Sequence, residues 1–421
     1  MSQPKSEMTR TPAASSQVVE DVTIVGGGLV GASLACALSG HGLRLSMVEP
    51  FPFESHGSPS YDDRTIALAE GSRRILAGLG LWPAIVEHST AIKRIHVSDR
   101  GRFGTTTLSA AEQGVAALGH VVPARCIGQA LSERLAALPD LIVRAPAALQ
   151  DIDIGETEVG LTIHSDGRDT GAETRLVVGA DGAQSQVRAL LGIGVRRWEY
   201  GQGAIIANVS PERDHHGVAF ERFTDAGPMA LLPMGGGRCA LVMTVRDTDL
   251  ESLMALSDAA FARVIEQRFG RRLGRMVQVG KRLSYPLAFW RAQSDVRTRV
   301  ALIGNAAHTL HPVAGQGFNL GLRDAATLAE VLVDAVRGGS DPGSDAVLRR
   351  YAGWRRWDQR RTAGFTDGLV RLFNNPLTPV VWARSAGMVA FDLLPPAKGL
   401  LCRSAMGLAG RLPRLARGLS L

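Results

Sequence analysis

Apolar runs broken by glycines open the patterned part of the chain. Residues 22–25 are a short β-branched run, residues 32–38 are small and apolar, and residues 43–48 are apolar again. Short β-branched runs favour strands, and a small-residue segment that follows glycines favours a packed helix. The pattern therefore predicts a strand–helix–strand unit of roughly 30 residues.

The rest of the chain alternates between helical and β-like patterns. They predict a helix at 125–138, strands at 141–154, 159–164, 175–178 and 300–303, β-like pieces at 203–209, 229–232 and 239–244, and a helix at 318–336. We assign 19–90, 115–190 and 285–340 to a nucleotide-binding domain, 91–114 and 191–284 to a substrate domain, and 341–421 to C-terminal helices with a basic tail. Residues 1–18, rich in Ser, Thr, Pro and Ala, are expected to form a loose N-terminus. The fold class is α/β, a Rossmann-like domain assembled from separated segments with an inserted β-sheet domain.

A Gly26-x-Gly28-x-x-Gly31 motif follows the first predicted strand and opens the helix. Such glycines permit a tight turn, a close approach of pyrophosphate and close packing of helix on strand. Glu49 ends the next predicted strand 21 residues after Gly28, where a carboxylate accepts ribose hydroxyls. The motif predicts bound FAD or NAD and does not decide between them.

A second glycine-rich loop joins the strand at 300–303 to the helix at 318–336. Backbone amides at 315–319 would face a delocalised negative charge, such as the edge of a reduced flavin. His308 and His311 have a spacing that suits a metal pair, but no third ligand has convincing spacing, so no metal site is predicted.

Composition excludes several classes of protein. The chain has 421 residues and a net charge of +7, and only 5% of its residues are aromatic, which disfavours stacking on single-stranded nucleic acid. Its four cysteines form no C-x-x-C pair, so a disulfide scaffold or zinc ribbon is not expected. The N-terminus lacks a secretory apolar core, and glycines or polar residues interrupt the uncharged stretches at 22–43 and 300–322. We expect a cytoplasmic protein that binds no nucleic acid.

Five segments together resemble a known family. They are 304–324, 178–188, 63–68, Arg125 after 121–123, and 220–233. The chain resembles the UbiH/VisC-type ubiquinone-biosynthesis FAD-dependent hydroxylases, which are class A flavin monooxygenases of the para-hydroxybenzoate hydroxylase superfamily. One departure is Asn305, where most of the superfamily has Asp; Asn keeps an acceptor oxygen and adds a donor, so FAD binding is expected to survive.

The resemblance implies an activity and its cofactors. The expected enzyme hydroxylates the aromatic ring of a polyprenyl phenol with dioxygen through a flavin 4a-hydroperoxide. The resemblance also implies FAD as the cofactor and NADPH or NADH as a transient reductant. No second G-x-G-x-x-G is visible, as is expected for a superfamily in which the nicotinamide binds transiently. The expected partners are a lipid-soluble phenolic substrate, dioxygen, a membrane surface and other quinone-biosynthesis proteins.

Site residues follow from the motifs and the resemblance together. The cofactor-binding candidates are Gly26, Gly28, Gly31, Glu49, Arg64, Arg125, Asp181, Gly182, Asn305, Pro312, Gly315, Gln316, Gly317, Phe318 and Asn319. The substrate-facing candidates are Phe220, Arg222, Leu231, Leu232 and Pro233. No general base is evident, because the flavin carries the chemistry; His311 is the nearest titratable candidate in its loop.

Most of the net positive charge lies at the C-terminus. Residues 384–421 carry six basic residues against Asp392 alone, interspersed with leucines. Such a segment either meets anionic lipid on the inner face of the membrane or packs on the nucleotide-binding domain. Two other functions stay open: another FAD-dependent reductase or oxidase of this fold, or a non-catalytic flavin-binding subunit of a quinone-synthesis complex.

Overall fold

The computed structural model describes residues 19–52, 64–309, 316–375 and 377–421. The predicted loose N-terminus at 1–18 lies outside these residues. The strands are β1 (Val22–Val25), β2 (Leu45–Val48), β3 (Thr65–Ala69), β4 (Thr90–Ile92), β5 (Arg94–Asp99), β6 (Thr105–Ser109), β7 (Gly119–Pro123), β8 (Leu141–Arg144), β9 (Ala148–Ile154), β10 (Val159–Ser165), β11 (Arg168–Thr174), β12 (Val177–Gly179), β13 (Val195–Pro211), β14 (Val218–Thr224), β15 (Gly227–Pro233), β16 (Cys239–Arg246), β17 (Met276–Val279), β18 (Leu283–Ala292), β19 (Val296–Arg297), β20 (Val300–Leu302) and β21 (His308–Thr309). The helices are α1 (Leu29–Leu38), α2 (Glu70–Gly78), α3 (Trp82–Val86), α4 (Ala124–Ala136), α5 (Gln186–Leu190), α6 (Asp247–Met254), α7 (Asp258–Phe269), α8 (Gln316–Arg337), α9 (Asp345–Asn374), α10 (Thr378–Asp392) and α11 (Pro395–Ala405).

A parallel sheet forms the first layer, and it gathers strands that are far apart in the sequence. Its order is β19-β20-β12-β1-β2-β8, with β19 alone antiparallel to its neighbour. Helices α1, α4 and α8 cover one face and share one apolar core with it. The predicted strand–helix–strand unit is confirmed as β1, α1 and β2. The carboxyl ends of these parallel strands meet at one edge, where ligands bind in open α/β sheets.

The predicted strand at 141–154 is wrong in one respect, because it divides into β8 and β9. Pro146 lies between them, and a proline cannot donate to a sheet ladder. Strand β8 joins the parallel sheet, whereas β9 pairs with β10 in a separate antiparallel sheet with β11.

A large, mainly antiparallel sheet forms the second layer. Its order is β21-β18-β13-β16-β15-β14-β5-β6, with β17 also pairing with β13. Helices α6 and α7 cover its outer face and bury a second apolar core. Strand β18 pairs with β13 along most of its length. The domain boundary that we assigned at 285 would cut β18, so we propose a boundary after Ala292.

The C-terminal helices close the molecule against both layers. Helix α9 packs on α8, and α10 packs on β6 and α11. After α11 the chain returns to the first layer, where the amide of Gly71 donates to the carbonyl of Met406 at 2.8 Å and Leu415 is buried in the core. Together with the two sheets, this arrangement confirms the predicted fold class.

Half of the cations in the basic tail form ion pairs within the protein. Arg384 lies 2.5 Å from Asp99, Lys398 contacts Asp392 at 3.2 Å, and Arg414 contacts Asp334 at 2.7 Å. The other tail cations are exposed: Arg403, Arg411 and Arg417. Half of the tail cations are thus bonded within the protein, as the packing alternative expects, and the other half remain at the surface. None of the described helices combines the length and the hydropathy that a membrane crossing needs.

Candidate active site

Two glycines, one in the turn after β1 and one in the first turns of α1, leave no room for a side chain. Gly26 has φ +104°, and a Cβ built on it would lie 2.6 Å from the carbonyl carbon of Ala180. A Cβ on Gly31 would overlap the carbonyl oxygen of Gly26. These two positions bring α1 against the parallel sheet and join its turn to the loop after β12.

The N-terminus of α1 suits a phosphate. Gly28 is the N-cap residue, no side chain caps the helix, and its first turn carries no acidic residue. The first amides of a helix are unpaired donors beside a partial positive charge. The residues present therefore fit the pyrophosphate of a dinucleotide.

Glu49 lies across the turn from this helix. Its Oε2 accepts from the amide of Gly27 at 2.5 Å, and its Oε1 accepts from the amide of Phe51 at 3.2 Å. Burial raises the pKa of this carboxyl, although both hydrogen bonds oppose the shift. A carboxylate held beside the glycine turn fits the ribose of an adenosine group.

The loop after β12 places Asp181 with one oxygen unsatisfied. Its Oδ2 accepts from the amide of Val187 at 3.0 Å, whereas the buried Oδ1 has no hydrogen-bond partner in the described residues. A buried carboxylate oxygen without a partner is costly, so it indicates a ligand donor. Arg188 follows and donates to the carbonyl of Ala306 at 2.9 Å while it lies over the ring of Trp290.

A buried ionic network supports the loop after β20. Asp324 accepts from the amide of Gly304 at 3.1 Å, contacts His308 Nε2 at 2.7 Å and pairs with Arg355 at 2.7 Å. Burial alone would raise the pKa of Asp324, but Arg355 and His308 lower it to about 2. Helix α8 thereby fixes the loop that carries Asn305.

His308 is thus a structural partner of Asp324. Within the described residues, no group of three or more His, Cys, Asp or Glu side chains has a metal-binding arrangement. The remaining predicted residues of this loop, His311, Pro312 and Gly315, lie outside the described residues.

Helix α8 begins at Gln316 and directs its first amides toward the same edge. The side chain of Asn319 bridges to β3, since Oδ1 accepts from the amide of Ala69 and Nδ2 donates to the carbonyl of Ala67, both at 2.8 Å. This bridge places β3, and with it Arg64 at its start, beside the helix terminus.

The two arginines predicted to bind the cofactor, Arg64 and Arg125, lie where the start of β3 meets the start of α4. The amide of Ala124, at the start of α4, donates to the carbonyl of Arg64 at 2.7 Å. The Arg64 guanidinium lies 5.2 Å from the centre of the Tyr285 ring. Arg125 is exposed on the first turn of α4.

One cavity of about 1160 Å³ runs from this edge between the large sheet and the C-terminal helices. The predicted cofactor residues that line it are Gly28, Arg64, Gly182, Asn305, Gln316, Gly317, Phe318 and Asn319. Its far end is lined by apolar residues of α9, α10 and α11, including Leu369, Phe373, Met388, Phe391 and Leu401. Gly26, Gly31, Glu49, Arg125 and Asp181 are not part of its lining.

Most of the predicted substrate-facing residues lie one position along the strand from the residues that line the cavity. Residues on a strand alternate between faces. Leu231 is fully buried in the core between the large sheet and α7, and Arg222 lies beside Gly270 at the end of α7. Phe220 borders the cavity, but its ring packs on Phe269 at 5.5 Å on the opposite face.

The cavity face of β14 and β15 instead carries the alternate residues. These are Ala219, Glu221, Phe223, Ala230 and Leu232. Of the predicted set, Leu232 is the residue whose side chain lies on this face. Pro233 is buried and does not line the cavity. Side-chain alternation along a strand groups Glu221 with Ala219 and Phe223, but it does not say which face of the strand meets the cavity.

Comparisons with known proteins agree with this geometry. A family model described as an FAD binding domain matches residues 20–362. The chain is 44% identical to ubiquinone hydroxylase UbiL of Rhodospirillum rubrum, over 97% of this chain and 95% of that protein. It is 33% identical to 3-demethoxyubiquinol 3-hydroxylase of Escherichia coli, over 92% of this chain and 98% of that protein.

Solved structures show the same fold. The p-nitrophenol 4-monooxygenase PnpA of Pseudomonas putida superposes with a TM-score of 0.77 at 21% identity, covering 93% of this chain and 99% of that one. With a glycine turn, an uncapped helix and a matching family model over most of its length, the chain belongs to the FAD-binding-domain family of flavoprotein monooxygenases, in the group of the ubiquinone hydroxylases.

Proposed function

We propose that this protein hydroxylates the aromatic ring of a polyprenyl phenol in ubiquinone biosynthesis, with FAD as cofactor and NADPH or NADH as reductant. The observation that carries the proposal is the single cavity that joins the glycine turn to an apolar chamber between α9, α10 and α11. Its volume of about 1160 Å³ exceeds the ~300–1,000 Å³ typical of small-ligand sites. It therefore has room for an isoalloxazine ring, a phenol and part of an isoprenoid tail.

The residues at the sheet edge would hold FAD. The amides at the start of α1 would receive the pyrophosphate, and Glu49 would accept from the adenosine ribose. Asp181 and Asn305 supply acceptors at the ends of β12 and β20. When bound, FAD supplies the redox chemistry, which takes electrons from NAD(P)H and transfers one oxygen atom of dioxygen to the ring.

The start of α8 would face the flavin ring. Its amides and partial positive charge stabilise negative charge that develops on the pyrimidine edge. The ionic network of Asp324, His308 and Arg355 holds these elements in a fixed relation. The apolar walls of the sheet and the C-terminal helices would exclude water once a substrate fills the chamber, which would limit side reactions.

The outer face of α10 gives a route for a lipid-soluble substrate. Trp382, Val389 and Leu393 on this face are 61%, 41% and 74% exposed. The two charged residues of α10, Arg384 and Asp392, are both bonded within the protein. An exposed helix face without charge favours burial in a lipid interface.

The opposite face of the same helix lines the cavity, through residues such as Gly387 and Met388. Helix α10 is thus a wall one helix thick between the apolar surface and the chamber. We propose that this surface rests on the membrane and that the substrate enters past α10, while exposed arginines such as Arg403 meet anionic headgroups.

The test is a two-step reaction of the FAD-loaded protein. It is reduced anaerobically with NADPH or NADH and then mixed with ¹⁸O₂ in the presence of 2-geranylphenol. A phenol product carrying one ¹⁸O atom, detected by mass spectrometry, is the expected result. Peroxide as the sole oxygen product with every phenol would favour an oxidase, and failure of both nucleotides to reduce the flavin would favour a non-catalytic subunit.

A further inference from the structure

Glu221 is an acidic side chain on the cavity face of the large sheet. It lies in the middle of β14, paired with Ala230 of β15 on one side and with Val97 of β5 on the other. All three residues line the cavity, with Leu232 and Val242 nearby on the same face. The walls around this carboxyl are therefore aliphatic.

No group among the described residues bonds to this carboxyl. Among the described residues, Glu221 has no hydrogen bond or ion pair, although its side chain is only partly exposed and lines the cavity. The cavity space is the one direction that it can bond toward. A buried carboxyl in aliphatic surroundings is strongly unfavourable unless a ligand satisfies it.

The other titratable side chains that line the described cavity are committed elsewhere. Arg384, on α10, pairs with Asp99 and donates to the carbonyls of Leu372 and Phe373. Arg64 lies against Tyr285 at the flavin end. Glu221 is therefore the acidic group that the chamber offers to a ligand.

We propose that Glu221 accepts a hydrogen bond from the phenol hydroxyl of the substrate and so orients the ring in the chamber. The inference rests on the proposed function, because it takes the ligand to be a phenol with an apolar tail. A carboxylate acceptor raises the electron density of a phenol ring, which favours attack by an electrophilic oxygen. The aliphatic walls on either side accept the rest of the ring and the tail.

Charge on this carboxyl depends on pH near neutrality. Burial raises the pKa of Glu221 to about 7. The ionised form, which is the stronger acceptor, is therefore lost as the pH falls below this value. Affinity for the phenol should decline as the pH is lowered from 8 to 6. Variants whose residue 221 has no ionisable group should not show this decline.

The experiment compares a phenol with its methyl ether. Binding of 2-geranylphenol and of 2-geranylanisole to the FAD-loaded protein is measured at pH 8 by titration calorimetry. The wild type should prefer the phenol roughly 10-fold or more, as expected for a hydrogen bond to a charged group. Glu221→Leu should bind the two equally, and Glu221→Gln should keep part of the preference but lose its pH dependence.

Ala230→Leu is the matched control, since it adds bulk at the cross-strand neighbour and leaves the carboxyl in place. It should retain the phenol preference even where both affinities fall. A Glu221→Leu protein that still prefers the phenol as strongly as the wild type would overturn the inference. Because binding is measured without turnover, this outcome is distinct from failure of the proposed function, in which the wild type would form no ¹⁸O-labelled phenol.

Discussion

Arg384 of α10 and Asp99 of β5 form a buried ion pair at 2.5 Å that fastens the C-terminal helices to the large sheet. Both side chains are almost fully buried, and Arg384 also donates to two carbonyls at the end of α9. The pair therefore forms part of the wall that separates the chamber from the apolar surface of α10.

Replacing Asp99 by Asn should leave Arg384 buried without its counter-charge. Removal of one partner of a buried pair costs about 3–5 kcal/mol, so the free energy of unfolding in urea should fall by about that amount. Asp367→Asn is the control, because its pair with Arg371 lies at the surface, with side chains that are 33% and 71% exposed, and surface pairs contribute about 0–1 kcal/mol. Equal losses in the two variants would contradict a special role for the buried pair.

Gly31→Ala should weaken FAD binding. The added Cβ would overlap the carbonyl oxygen of Gly26, so α1 must move away from the turn that we propose receives the pyrophosphate. We expect the Kd for FAD to rise roughly 10-fold or more, measured by flavin fluorescence after removal and return of the cofactor. Gly353→Ala, on α9 with open space around it, should leave that Kd unchanged, and a match between the two variants would argue against the assignment.

Glu221→Gln should stabilise the protein at pH 8 but not at pH 5. The pKa of Glu221 is raised to about 7 from a usual 4.5, so the folded state holds a proton that the unfolded state loses between these values. Wild-type stability therefore falls as pH rises through this window, by roughly 1–3 kcal/mol in total. The measurement is the difference in melting temperature between variant and wild type across pH 5–8.

Glu212→Gln is a control for which the dependence of stability on pH should have the opposite sign. The amide of Arg275 and its positive charge lower the pKa of Glu212, so this carboxylate contributes stability above its usual pKa and loses it as pH falls. If the difference in melting temperature between Glu221→Gln and the wild type did not change with pH, the pKa of this carboxyl would not be raised by its surroundings.

Val389→Glu should reduce binding to anionic vesicles. It places a charge on the apolar face of α10 that we propose enters the lipid interface. Sedimentation with phosphatidylglycerol vesicles should weaken roughly 10-fold, the factor that corresponds to about 1.4 kcal/mol. Val277→Glu changes an even more exposed valine, on β17, and should sediment like the wild type; equal losses would point to net charge rather than to α10.

The glycine turn and the loops after β12 and β20 could be read from the sequence because their chemistry is local. Gly26 and Gly31 have spacing that only a tight turn with a packed helix explains. Most elements of regular structure near them were predicted for the same reason, as in α8, where apolar spacing is strong.

The substrate face could not be read in this way. Period-two alternation defines two faces of β14 but does not say which one meets α7 and which one meets the chamber, so the residues chosen were Arg222 and Leu231 rather than Glu221. The partner of Arg384 lies 285 residues away in the sequence, and no local pattern reveals such a pairing.

The continuity of the cavity links the length of the substrate tail to the efficiency of oxygen use. The end of the cavity that would hold the cofactor and the end that would hold the substrate tail form one continuous volume. A phenol with a short tail therefore leaves part of that volume to water. Water near the flavin diverts reducing equivalents to peroxide. The enzyme should therefore form more hydroxylated product per NAD(P)H as the isoprenoid chain lengthens, until the chamber between α9, α10 and α11 is filled.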